Sequence, residues 1–195
     1  MIFGNFVSVW NNLNAKYQGV EGAESMYSAA LNVVPEKIEG VWTMSQQYLD
    51  HESKTFVDLS EARSGMIDAT ELFQSLVESG ADPSEIIQGA QGVFAQILEF
   101  QTAANLAVDV QIEAYPSLRG ADTTEQAMNT LEEGVNEVKT ALDDWIVTIR
   151  NYNTYRGSFW PNIYGSFMGR FPSEIEYYKG SIEELDISSL NPAEN

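Results

Sequence analysis

The stretch DTTEQAMNTLEEGVNEVKTALDDWIVTIRNYNTYR, residues 122–156, decides the fold class. Its large apolar residues recur at steps of three and four: Met128, Leu131, Val135, Val138, Leu142, Trp145, Ile149 and Tyr152. No polar residue interrupts the series. That spacing lays one row of side chains along a single face of an α-helix, the seam of a helix packed nearly parallel to its neighbours. Asp122 and Glu125 make a capping pattern at its start, and Gly157 stops it.

Upstream the same logic repeats. Asp82-Pro83-Ser84-Glu85 combines an N-cap carboxylate, a proline at the first helical position and an acid three residues after the cap. The helix that follows turns Ile86, Ala90, Val93, Ile97, Phe100, Ala104 and Ala107 inward and closes at Tyr115-Pro116 and Gly120. Ahead of it run two further stripes. One is Phe6, Trp10, Leu13, Tyr17, Val20, Glu24 and Tyr27, with Glu24 its one polar member. The other begins Ile38, Val41, Ser45, Tyr48, Glu52, Thr55, Leu59 and continues to Leu76. Asn32 and Pro35 predict a turn near Ala29 to Asn32 between them, although the stripe stays in phase there and one kinked helix is the alternative. Four seams with short connections predict an all-α fold, an up-and-down four-helix bundle of long antiparallel helices. We expect the bundle to occupy residues 1–171 and residues 172–195 to form an acidic, mobile tail.

Composition excludes several classes. Twenty-nine acidic residues against ten basic ones give a charge of −19, which repels the phosphates of nucleic acids, so no nucleic-acid partner is expected. There is no cysteine, hence no disulfide and no thiolate chemistry. Met1 to Trp10 is interrupted by Asn5 and Ser8 and lacks a basic start, so it reads as neither a signal peptide nor a spanning helix. A di-metal carboxylate site needs Glu-x-x-His on two helices, whereas the one histidine, His51, has Tyr48 at that offset. No nucleophile elbow and no phosphate-cradling glycine cluster occurs. Neither catalytic residues, cofactor nor metal are expected.

Three polar and aromatic signatures remain: Tyr48-x-x-His51-Glu52-x-x-Thr55 running to Glu61-Ala62-Arg63; Glu113-Ala114-Tyr115-Pro116-x-Leu118; and Arg150-Asn151-Tyr152-Asn153 followed by Phe159-Trp160-Pro161. Together they resemble the LemA family of bacterial helical-bundle proteins, over about Trp10 to Phe171. The resemblance implies the bundle and a pole that faces the membrane in anchored members. It implies no reaction. The chain departs from the family's pattern at Trp145-Ile146, where a Tyr-Asn pair is usual, and at Met168-Gly169-Arg170-Phe171.

Each signature has a structural reading. Glu52 falls on the inward stripe, where Ser45 and Thr55 join it in a polar layer with donors such as Asn12 or Lys16. Tyr152 lies on the seam, with Arg150 and Asn153 positioned to bond the last helical carbonyls. Phe159, Trp160, Tyr164, Phe167 and Phe171 should gather near Phe3, Phe6 and Trp10, most simply as a cap that buries Trp160, alternatively as a docking surface. The expected function is a non-enzymatic scaffold or protein-interaction module with a protein partner or self-assembly. The alternatives are a peripheral membrane protein docking through the aromatic pole and a structural subunit of a larger assembly such as a phage particle. Cytoplasmic or membrane-peripheral placement follows from the first two, a virion from the third.

Overall fold

The computed structural model describes residues 2–50 and 53–180, with the side chains of residues 2–4 left aside. Among these residues every regular element is helical: α1 (Ile2–Tyr48), α2 (Lys54–Ser79), α3 (Pro83–Ala114), a 3-10 turn (Pro116–Leu118), α4 (Asp122–Arg156) and α5 (Phe159–Met168). The chain from 171 to 180 then runs without helix or strand across the sides of α3 and α4.

The first connection differs from the sequence expectation. No turn forms at Ala29 to Asn32, and α1 continues through Pro35. Ala30, Leu31, Val34, Ile38 and Val41 are all buried in helical phase on both sides of the proline, so packing outweighs the missing N–H donor. α1 ends instead at Tyr48, and α2 begins at Lys54. There the Ser53 hydroxyl caps α2 by accepting from the Phe56 backbone N–H at 3.3 Å. The remaining boundaries follow local chemistry. Asp82 Oδ1 accepts from Ser84 N–H at 2.8 Å to start α3. Tyr115 stands at its C-cap ahead of Pro116, and Gly80 ends α2 in the left-handed conformation at φ 65°. At α4 the cap position belongs to Ala121 rather than Asp122, whose carboxylate sits in the first turn and makes no capping hydrogen bond.

α1 runs opposite to α4 and to α2. Met44 and Gly40 of α1 meet Thr124 and Ala127 at the start of α4, and Gly19 meets Thr148 near its end. Along α2, Phe56 stacks on Trp42 with ring centroids 5.7 Å apart, and further on Phe73 meets Tyr27 at 5.4 Å. Helices α2 and α3 meet closely at Gly65, where a Cβ would collide with the Gln96 side-chain oxygen. The predicted inward residues of α3 and α4 are buried, Met128 only partly. Tyr27, Phe73 and Trp145, each at most 1% exposed, form an aromatic centre in which such ring pairs add about 0.5–1.5 kcal/mol beyond their area.

Length explains the rest. At about 1.5 Å per residue α1 is roughly 70 Å long and α2 roughly 40 Å, so the first half of α1 extends past its α2 neighbour. The end of α4, α5 and residue 171 cover it, through Tyr17 against Tyr152 (5.7 Å), Trp10 against Phe171 (5.4 Å) and Phe6 against Tyr164 (5.2 Å). Glu24, near the middle of α1, is half-buried; burial first and the neighbouring Glu21 second raise its carboxyl above the ordinary range.

Candidate functional site

The two ends of the signature around His51 fall on different helices rather than on one helix face. Tyr48 is the last residue of α1, Ser53 caps α2 and Thr55 lies in its first turn, half-buried. His51 and Glu52 lie outside the described residues, so the expected layer is seen only in part. Ser45, fully buried, is paired there, but its partner comes from α3: Gln111 Nε2 donates to Ser45 Oγ at 3.0 Å. Among the described residues neither Asn12 nor Lys16 donates to Ser45; Lys16 lies over the Tyr155 ring near the end of α4. Arg63 packs its guanidinium over Trp42 at 4.6 Å from the ring centroid, joining the stack with Phe56.

The second signature holds the extended segment. Asn153 pairs with Ile175 at both ends of its amide: Nδ2 donates to the Ile175 carbonyl at 2.8 Å, and Ile175 N–H donates to Oδ1 at 2.9 Å. Gln91 of α3 repeats the device on Tyr178, with both bonds at 2.8 Å. Tyr152 donates to the Pro172 carbonyl at 2.6 Å, Glu176 N–H donates to Ser84 Oγ at 3.0 Å, and Ile175 is fully buried. Residues 172–180, assigned from sequence to a mobile tail, are therefore laid against α3 and α4 by side chains that read backbone rather than by a regular ladder. Asn153 bonds this segment and not the last carbonyls of its own helix. Arg150 reaches Tyr177 Oη at 3.5 Å, and Asn151 is exposed.

Arg156 was not singled out by the sequence reading. It continues the buried row Trp145, Ile149, Tyr152, and that phase was the available signal. Only 2% exposed, it donates through Nη1 to the Pro161 carbonyl (3.3 Å), the Asn162 carbonyl (3.2 Å) and Asn162 Oδ1 (3.2 Å), tying α5 to the end of α4. Gly165 leaves room for the guanidinium, since a Cβ there would stand 2.7 Å from Arg156 Cζ. Burial pushes the neighbouring Tyr152 hydroxyl up to about 12, with Arg156 pulling partly the other way.

The aromatic pole divides in two. Phe171 is buried between Trp10 and Tyr17 and does cap the helices. The expectation that Trp160 is buried with it is corrected: Trp160 is 47% exposed, Phe159 69% and Phe167 87%. Trp160 stacks on Tyr164 at 5.5 Å and meets Phe159 at 5.0 Å, so α5 is anchored through Tyr164 and Arg156 while its aromatic row faces outward. Phe6 (37%) and Val7 (53%) of α1 are exposed at the same end.

Among the described residues no group of three or more His, Asp or Glu stands ready for a metal ion, and no helix is long and apolar enough to cross a membrane. The model of the LemA family matches residues 22–184. No curated protein and no solved structure matches the chain significantly.

Proposed function

The chain belongs to the LemA family, and from that membership together with the exposed pole we propose that it is a non-catalytic helical scaffold, α1 to α4 forming an up-and-down four-helix bundle, that docks α5 into the interfacial layer of a zwitterionic bilayer. The observation that carries this reading is α5 itself. Residues 159–168 contain no charged side chain in a protein with thirty-nine, and they present Phe159, Trp160 and Phe167 to solvent. Aromatic rings with polar edges favour the boundary between acyl chains and headgroups, where a short amphipathic helix lies flat. The surrounding acidity opposes anionic lipid, which selects zwitterionic surfaces.

Flotation with phosphatidylcholine vesicles tests the reading. The protein should float with the vesicles, and Phe159→Ser with Phe167→Ser should abolish flotation while leaving the thermal midpoint within the small range typical of exposed sites. Absence of flotation by the unsubstituted chain would overturn lipid docking. The same double substitution dissolving a complex with a protein partner would then support the scaffold's second reading, a protein-interaction surface, to which the protruding Phe167 is equally suited.

A further inference from the structure

A cleft of about 570 Å³ opens between α3, α4 and the extended segment. On its α4 side Lys139, Asp143, Ile146 and Arg150 stand at helical positions i, i+4, i+7 and i+11, a single row whose ends are about 16 Å apart along the axis. Lys179 of the extended segment lies across from them, and Phe94 and Leu98 of α3 line the cleft as well. Among the described residues, three basic side chains and one acidic one border this cleft, in a chain with ten basic and twenty-nine acidic residues. That ratio inverts the charge of the whole molecule. Two of the three cations are uncommitted: among the described residues neither Lys139 nor Arg150 has an ion pair, and Arg150 makes only the long bond to Tyr177. Lys179 reaches Glu174 at 3.9 Å with both side chains more than half exposed, a contact of little strength.

One rim of the cleft is the protein's own extended segment, held in place by side-chain amides. Gln91 and Asn153 each clamp a backbone amide and carbonyl of residues 178 and 175, which fixes Tyr177 and Tyr178 in place as one rim. Extended chain rises about 3.3 Å per residue, so carboxylates four or five residues apart span the distance between Lys139 and Arg150. Between those cations the row carries Asp143 and then the apolar Ile146, and Phe94 and Leu98 of α3 add the apolar wall beside it.

We infer that this cleft docks an acidic, extended peptide of a partner protein that carries bulky apolar side chains between two carboxylate groups. The cations hold the two acidic ends, and the apolar middle seats on α3 and α4. Because the chain carries a net charge of −19, its overall field disfavours such a peptide and the cations of the cleft favour it locally, so electrostatics sets where it binds as much as how tightly. The site is separate from the pole and stands or falls independently of it.

The test is fluorescence anisotropy with the full chain and a labelled hexapeptide, Asp-Glu-Leu-Phe-Asp-Glu, beside its amide counterpart, Asn-Gln-Leu-Phe-Asn-Gln. The acidic peptide should bind with an affinity that falls as salt rises, and the amide peptide at least about tenfold more weakly. Lys139→Gln with Arg150→Gln should weaken the acidic peptide by at least about tenfold with the helical circular dichroism unchanged, whereas Lys16→Gln, which removes a cation that does not line the cleft, should leave it as it was. No binding, no preference for the acidic peptide, equal loss from Lys16→Gln, or full displacement by inorganic phosphate would each overturn the inference.

Discussion

Tyr152 shows how a seam position acquires a second task. Its ring was legible as core from the unbroken row of α4, but its hydroxyl bond to Pro172 was not, because the acceptor lies in a segment with no periodicity of its own. Burial raises the hydroxyl from 10.0 to about 12. The sign follows from proton counting. Below pH 10 both folded and unfolded chains keep the proton; between pH 10 and about 12 the unfolded chain releases it first, so stability falls as pH rises through that window. Tyr17 and Tyr27 are raised in the same direction, chiefly by burial, and steepen the fall. Tyr152→Phe should therefore cost about 1 kcal/mol at neutral pH, the worth of one hydrogen bond, and should flatten the decline in thermal midpoint between pH 10 and 12. An unchanged alkaline slope would remove Tyr152 from this role. Arg156 marks the limit of legibility at this scale: its phase was readable, but a charged residue enters a core only where carbonyls meet it, and those of Pro161 and Asn162 come from the next helix.

At the scale of elements, α3 and α4 were readable nearly to their ends, because cap, proline and glycine signals coincide with the limits of an apolar stripe. The α1–α2 connection was not. Asn32 and Pro35 carry turn chemistry, yet the buried face runs through them in phase, and tertiary packing against α4 decides in favour of continuity. The stripe was also extended through Glu52 by phase alone, while Ser53 holds the cap that starts α2. α5 depends on one close approach, Gly165 over the Arg156 guanidinium. Gly165→Ala forces that buried group to move and should cost about 1–3 kcal/mol, the usual penalty for overpacking, despite alanine's better helix propensity. Denaturant unfolding would measure the loss, and a shift in Trp160 fluorescence would report that α5 has moved. A neutral or stabilising result would show that Arg156 is not what fixes α5.

For the molecule as a whole, charge is the least balanced quantity. Its core is continuous from α1 to Ile175, while the surface carries a net −19 with three ion pairs among the described residues, all with at least one well-exposed partner. Exposed pairs contribute little, so screening them removes little. The repulsion among twenty-nine acids disfavours the compact state, and salt weakens it as the Debye length shrinks from about 30 Å at 0.01 M to about 10 Å at 0.1 M. Thermal stability should therefore rise with sodium chloride over that range, by about 2–4 °C for each kcal/mol of repulsion relieved in a chain of this size. Charge arithmetic from the sequence is enough to state this, whereas the basic cleft on the same surface required the fold to bring Lys179 across from Lys139 and Arg150. The two effects separate experimentally: salt should strengthen the fold and weaken acidic-peptide binding in the same titration. A midpoint that falls with added salt would mean that attractive pairs, not the excess of acids, govern the electrostatics of this fold.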